Sequence, residues 1–151
     1  MNQSQFQLGR REFVAGAAVA AAGAVLAQSS LGQEHAHHQM AAKKNQALID
    51  AALNCVKASE ACIDHCLEAF KEGDKALAAC METSLEASAA CVLLAKYASW
   101  DSEHLKGLAA LCKKVCEDCA KECEVHAKKH TTCKDCMEAC QACAKECGKA
   151  A

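Results

Sequence analysis

Cysteine is the residue type that best equips this chain for chemistry. The sequence of 151 residues holds 14 cysteines, and within each group they are separated by three or four residues or by sums of such steps. The groups, in chain order, are Cys55, Cys62 and Cys66; Cys80 and Cys91; Cys112, Cys116, Cys119 and Cys123; and Cys133, Cys136, Cys140, Cys143 and Cys147. Thiolate sulfur is a soft metal ligand, and paired thiols also form disulfides or carry out redox chemistry.

Steps of three and four residues place side chains on one face of an α-helix. At 100° per residue, the group from Cys112 to Cys123 lies within an arc of about 60°, and the group from Cys133 to Cys147 within about 80°. Each group therefore predicts one helix with a stripe of sulfur. Four such stripes that face one another would line the interior of a helical bundle.

The elements that must position these stripes are four helices with short connections. We expect Gly73 to end the first helix, Asp74 to cap the second and Gly148 to follow the fourth. We expect helix one over 40–71 and helix two over 75–98. Helix three should run from a cap at Asp101 or Ser102 to residue 129, and helix four from a cap at Thr131 or Thr132 to residue 147. Short connections make consecutive helices antiparallel. The predicted fold is therefore all-α, an antiparallel up-down-up-down four-helix bundle over residues 40–148.

The inward stripes should also carry apolar and small residues. Ser59 falls on the stripe of the first helix, and Ser84 and Ala87 fall on that of the second. The leucines expected to supplement sulfur in the core are Leu48, Leu77, Leu85, Leu94, Leu105, Leu108 and Leu111. Because neutral thiols pack as small hydrophobes, we expect the metal-free chain to be helical.

Composition excludes several other classes of protein. Proline is absent and aromatic residues make up 3% of the chain, which argues against a β-sandwich or barrel. The formal charge is −2, and the basic residues are scattered among acids, so no nucleic-acid surface is indicated. A chain of this length fits one domain.

The N-terminal part is of a different kind. Arg10 and Arg11 precede a stretch of alanine, glycine and valine that ends near Ala27. We interpret residues 1–27 as a twin-arginine export signal, because the stretch is shorter and less apolar than the ~20 residues of a spanning helix. Residues 28–39, with several histidines, read as a flexible tail. These features predict a periplasmic protein with no membrane segment after cleavage of the signal.

Four explanations of the cysteines compete. Core filling would explain one or two of them, but not 14. A disulfide scaffold suits an oxidising compartment and an even count, although such scaffolds are loop-rich. A dithiol enzyme is suggested by Cys133 and Cys136, but no βαβ pattern surrounds them and no cysteine is unique. The fourth explanation is metal binding without catalysis.

Charge then separates the candidate metals. A Zn²⁺ site with four thiolates carries a net charge of −2, and several of them in one dry core would be costly, so a zinc-binding, metallothionein-like store is the weaker alternative. Iron–sulfur clusters also need sets of four ligands, whereas these cysteines are spaced evenly along the helices and are not grouped in fours. Cu(I) accepts two or three thiolates, and one Cu(I) per thiolate leaves the core neutral. Cu(I) therefore fits best.

The chain also resembles a known family over nearly all of residues 40–147. The segments that carry the resemblance are Asn45-Gln46-Ala47-Leu48-Ile49-Asp50, Cys62-Ile63-Asp64-His65-Cys66, and the run from Cys133 to Cys147. They are similar to those of the bacterial copper storage proteins, and the export signal resembles the exported branch. The resemblance implies a four-helix bundle that stores many Cu(I) ions on its cysteines, with supply to copper enzymes or chaperones. The resemblance does not distinguish storage of copper from detoxification, and it leaves open whether the chain forms a homo-oligomer.

Histidines gather at one predicted end of the bundle. His65 precedes Cys66, and His126 and His130 continue the stripe from Cys123 by steps of three and four. Met81 and Met137 begin helices two and four at the same end. The histidines are either metal ligands at an opening for copper or solvated surface residues. The methionines are either metal ligands there or core filler. At the opposite end, Tyr97, Trp100 and Leu105 are bulky enough to form a plug.

Overall fold

The computed structural model describes residues 44–151, which form four α-helices and, over that range, no strand. The helices are α1 (Gln46–Lys71), α2 (Ala78–Ser99), α3 (Leu105–His126) and α4 (Thr131–Ala150). Consecutive helices pack together, and α4 closes the ring against α1. The predicted all-α up-down-up-down bundle is therefore confirmed. The export signal, the tail and the first predicted residues of helix one lie outside the described residues.

Three helices begin later than predicted. Lys44 and Asn45 form a turn, with Asn45 at φ 70°, so α1 begins only at Gln46. Asp74 does not cap α2 directly, because its Oδ1 accepts a hydrogen bond from the Ala76 N–H at 2.8 Å in a preceding turn. Ser102 similarly accepts from the His104 N–H at 3.2 Å before α3 begins. The short side chains of Asp74 and Ser102 thus close local turns, which compete with an earlier start of α2 and α3.

The helix ends differ in how well they were predicted. Gly73 does follow α1, with φ +87°, and the Asp74 N–H bonds the Ala69 carbonyl at 3.0 Å in a Schellman motif. Asp101, predicted to cap helix three, instead terminates α2 by the same motif, at φ 50°. Gly148 does not end α4, which continues to Ala150.

The last two helix boundaries also need correction. α3 ends at His126 rather than at residue 129, and the following residues form a turn. The cap position of α4 is His130, and neither Thr131 nor Thr132 occupies it. These shifts leave every cysteine inside a helix.

Cysteines make up half of the buried hydrophobic residues of the core. All 14 cysteines are free and fully buried. Leu48, Leu77, Leu94 and Leu105 are buried with them, as predicted. Two predicted core leucines are wrong: Leu85 is 49% and Leu111 56% exposed, because both lie off the inward stripes. Leu108 is partly buried.

The helix α2 is the most apolar of the four. By length and composition alone it could cross a membrane, with a mean hydropathy of 1.3 over an 18-residue window. Core helices of soluble proteins meet the same test. Cys80, Cys91 and Leu94 of α2 are fully buried within the bundle, whereas Leu85, Val92 and Leu93 are exposed, so burial accounts for only part of its apolar character.

The two ends of the bundle are built from different residues. Leu48, Leu94 and Leu105 lie at the end where α1 begins, which we call the leucine end. His65, His126 and His130 lie where α1 ends, which we call the histidine end. The predicted plug is only partly correct: Leu105 is buried and Tyr97 is partly buried against the core, but Trp100 is 67% exposed, with its ring beside that of Tyr97.

Candidate metal site

A ring of four sulfurs lies on the leucine side of the core. Cys55, Cys91, Cys116 and Cys143 contribute one Sγ from each helix, and the four atoms lie within 4.8 Å of one another. The Cys91 Sγ is 3.6 Å from the Sγ atoms of both Cys116 and Cys143. A ring of this kind needs a cysteine at the same height on all four helices, which the stripes provide.

Three further cysteines extend this group. The Cys140 Sγ lies 3.5 Å from the Cys55 Sγ. Cys112 and Cys147 continue their stripes towards the leucine end, and the Cys112 thiol donates to the Ala90 carbonyl at 3.4 Å. We call these seven cysteines the lower group: Cys55, Cys91, Cys112, Cys116, Cys140, Cys143 and Cys147.

A second set lies towards the histidine end. The Cys80 Sγ lies 3.4 Å from that of Cys123, 3.5 Å from that of Cys62 and 3.9 Å from that of Cys133. Cys66 joins Cys62 and Cys80 in a set of three sulfurs within 4.8 Å. We call these five cysteines the upper group: Cys62, Cys66, Cys80, Cys123 and Cys133.

Two cysteines connect the groups. Cys119 of α3 and Cys136 of α4 have Sγ atoms 3.8 Å apart. Cys136 belongs to one three-sulfur set with Cys62 and Cys123, and to another with Cys119 and Cys140. The sulfur lining therefore runs from one group to the other through α3 and α4.

No pair of these sulfurs is joined. The shortest Sγ–Sγ contact among the described residues is 3.4 Å, between Cys80 and Cys123, whereas a disulfide bond is about 2.05 Å long. The disulfide-scaffold alternative does not describe this structure. The sulfurs instead stand at spacings over which a small ion could be shared.

The pKa values of the cysteines that line the core are set by their burial and by contacts between thiols. Burial raises the pKa of Cys66 to about 11, and that of Cys112 and of Cys133 to about 12. The neighbouring thiols of Cys123 and Cys62 lower the pKa of Cys80 to about 3. Protons in the metal-free core are thus shared within groups of touching sulfurs, and a bound cation would displace them.

The donor set favours a soft, singly charged ion. Three of the four sulfur sets contain three cysteines, a number that suits Cu(I). The ring of four is the place where tetrahedral Zn²⁺ would fit by number, but a Cys₄ zinc site would bury two negative charges in a fully buried core. Sulfurs shared between sets also allow neighbouring Cu(I) ions to be bridged.

The predicted histidines do come together. The His65 Nε2 lies 2.9 Å from the His130 Nδ1, and the His126 ring lies 6.4 Å from that of His130, centre to centre. All three are half-buried. Met81 and Met137, also half-buried, pack against the core near this end. Ser59 and Ser84, which the spacing places on the inward stripes without indicating a role for them, both contact sulfur.

Comparisons with known proteins agree with this geometry. A family model described as copper storage protein matches residues 40–151. Two solved structures are similar: the apo form of copper storage protein 3 from Bacillus subtilis, at 34% identity, and Cu(I)-bound BsCsp3, at 33%. Each has a TM-score of 0.63 and covers 70% of this chain, and the chain covers 97% and 96% of them, respectively. No curated protein sequence in the comparison matches the chain.

The family model spans well over half of the chain, and both solved relatives are matched over nearly their whole length. The chain belongs to the copper storage protein family.

Proposed function

We propose that this protein binds roughly ten or more Cu(I) ions on the cysteines of its core, and that it stores copper for supply while keeping free copper low. The observation that carries this is the state of the cysteines. All 14 are buried and free, without a disulfide among them, and 11 of them form sets of three or four sulfurs. Storage needs many equivalent ligands in a protected space, which this lining provides.

The capacity follows from charge balance. Each Cu(I) that replaces a thiol proton leaves the thiolate–copper pair neutral, so filling the core adds no buried charge. Every cysteine then serves as a ligand, and bridging sulfurs give each ion two or three partners. Ions of higher charge would leave the same lining with unbalanced charge.

Storage is favoured over thiol–disulfide catalysis by the burial of the cysteines. A dithiol enzyme needs a sulfur that a substrate can reach. Cys133 and Cys136, one of three cysteine pairs spaced three residues apart, are both 0% exposed. Nothing in their surroundings makes either thiol more accessible than the other twelve cysteines.

The histidine end is the proposed opening of the store. Imidazole nitrogen is a copper ligand, and His65, His126 and His130 stand directly beyond the upper group. Copper would pass from these half-buried nitrogens to Cys66 or Cys133 and then inwards. A copper chaperone or a copper-requiring enzyme is the proposed partner at this end.

Export is the proposed setting. The twin-arginine motif at Arg10 and Arg11 supports transport of the folded chain to the periplasm. Folding before export would allow the thiols to be buried before they meet an oxidising compartment. Fusion of residues 1–39 to a reporter, in cells with and without a twin-arginine translocase, tests this: export that does not depend on the translocase would contradict it.

The storage function is tested by anaerobic titration of the reduced, mature protein with Cu(I), followed by gel filtration and metal analysis. We expect roughly ten or more ions to co-elute with each chain. A parallel titration with Zn²⁺ serves as the control, and Cu(I) should displace zinc. Retention of only one to three copper ions, or tighter binding of zinc, would overturn the proposal.

A further inference from the structure

Two buried serines interrupt the sulfur lining halfway along the bundle. Ser59 lies four residues after Cys55 and three before Cys62, and Ser84 lies four residues after Cys80. These are the positions at which the spacing of the stripes would place the next cysteine. Both serines are 0% exposed. Serine has the shape of cysteine, but its hydroxyl oxygen is a hard donor and a poor ligand for Cu(I).

The two hydroxyls point at the same sulfur. The Ser59 Oγ lies 3.7 Å and the Ser84 Oγ 3.8 Å from the Cys136 Sγ, and the Ser84 Oγ is also 3.7 Å from the Cys119 Sγ. Within residues 44–151, the hydroxyls of Ser59 and Ser84 have sulfur partners only. Thr83, by contrast, turns its hydroxyl back to the Ala79 carbonyl at 3.0 Å, the usual choice on a helix.

At this height the four helices supply two oxygens and two sulfurs. Ser59 and Ser84 come from α1 and α2, and Cys119 and Cys136 from α3 and α4. The ring of Cys55, Cys91, Cys116 and Cys143 below it has sulfur from all four helices. The continuity of ligands between the upper and lower groups therefore depends on α3 and α4 alone.

We propose that Ser59 and Ser84 form a hydroxyl belt that divides the core into two copper compartments, joined only through Cys119 and Cys136. This rests on the proposed storage of Cu(I) and deepens it. The upper compartment has five cysteines and faces the histidine end, whereas the lower compartment has seven. Copper in the lower compartment leaves by passing the belt, and each hydroxyl donates to a copper-bound thiolate there instead of binding the ion.

The test follows removal of Cu(I) from the fully loaded, mature protein by excess bathocuproine disulfonate under anaerobic conditions. If each thiolate holds one ion, the wild-type protein should release copper in two phases of about five and about seven ions, with the two ions at Cys119 and Cys136 added to one phase or divided between them. In the double variant Ser59→Cys/Ser84→Cys, the belt becomes a complete ring of sulfur. Capacity should rise by about two ions and release should become a single phase.

Two further variants separate the causes. Ser59→Ala/Ser84→Ala supplies no ligand, so two phases should remain; a single phase there would overturn the role assigned to missing sulfur. Ser88→Cys is the matched control, because Ser88 is buried on α2 but its hydroxyl donates to Glu60 outside the lining. It should keep both phases.

Circular dichroism and a thiol count confirm that each variant is folded and reduced. If the wild-type protein holds few copper ions, the storage function itself fails. If it holds roughly ten or more but releases them in one phase, or if Ser59→Cys/Ser84→Cys changes neither capacity nor phases, only the belt is overturned.

Discussion

The leucine end and the histidine end of the bundle enclose the same sulfur core with different sets of residues. At the leucine end, Leu94 is 0% and Leu48 4% exposed. Asn45 ties the start of α1 to the end of α2 through its Nδ2, 3.3 Å from the Ala98 carbonyl oxygen. At the histidine end, His65 and His130 share a 2.9 Å hydrogen bond and are half-buried. The leucine end is sealed by apolar packing, whereas the histidine end combines one buried leucine, Leu77, with exchangeable ligands.

This difference shows how a store can be both dry and accessible. Apolar packing at one end contributes free energy of folding and excludes water and oxidants from the thiols of the lower group. Polar, half-buried nitrogens at the other end can bind an arriving ion without burying a charge alone. Stability and exchange are thus assigned to separate ends of one bundle, and each can be perturbed independently.

The largest effect should come from the sealed end. Leu94→Ala would remove a fully buried side chain, and we expect it to lower the free energy of unfolding by about 2–5 kcal/mol. Leu93→Ala is the matched control on the same helix, since Leu93 is 44% exposed; it should cost less than about 1 kcal/mol. Urea denaturation of the reduced, metal-free proteins measures both. Equal losses would mean that Leu94 does not seal the core.

The two ends differ less in how far burial raises the pKa of their thiols, and the dependence of stability on pH measures this difference. Burial raises the pKa of Cys66 near the histidine end to about 11, and that of Cys112 near the leucine end to about 12, from 9.0. Because these pKa values are raised on folding, the stability they contribute is complete below pH 9 and is lost as the pH rises through 11 to 12. The melting temperature of the metal-free protein should therefore fall over that window.

Single variants assign this loss to the ends. Cys66→Ser and Cys112→Ser should each flatten the fall in melting temperature between pH 9 and 11, because each removes one ionising thiol. The copper-loaded protein is the control, since its sulfurs carry no protons to lose. A flattened profile for Cys112→Ser alone would show that water reaches Cys66, and that the histidine end is open even without copper.

Much of this arrangement could be predicted from sequence, because the helical period fixes which side chains share a face. The stripes with Cys55, Ser59 and Cys62, and with Cys80 and Ser84, were placed inwards correctly. The meeting of the three histidines followed from an antiparallel order of helices. Which sulfur meets which could not be predicted, because the contact between Cys55 and Cys140 depends on the axial offset between α1 and α4.

The incorrect predictions have local physical causes. Asp101 has a short polar side chain that predicts a cap for the next helix, but it adopts a left-handed conformation at the end of α2, which glycine usually occupies. Leu85 is predicted to be in the core because it is apolar, but it directly follows Ser84 and so lies about 100° off the inward stripe, where it is exposed. Trp100 was given a plugging role by size, although it follows α2 and lies off the stripe.

The smallest expected effect is kinetic and concerns the histidine end. Replacement of His65, His126 and His130 by alanine removes the ligands proposed for the opening but none of the core thiols. We expect capacity to be preserved and copper uptake from a Cu(I) chelator complex to slow by about fivefold, the rate equivalent of ~1 kcal/mol lost at one step. Stopped-flow absorbance measures the rate. His104→Ala is the matched control, because His104 is exposed and precedes α3 at the leucine end. If the triple variant takes up copper at the wild-type rate, or if His104→Ala slows uptake equally, copper does not pass the histidine end and the division of roles between the two ends is wrong.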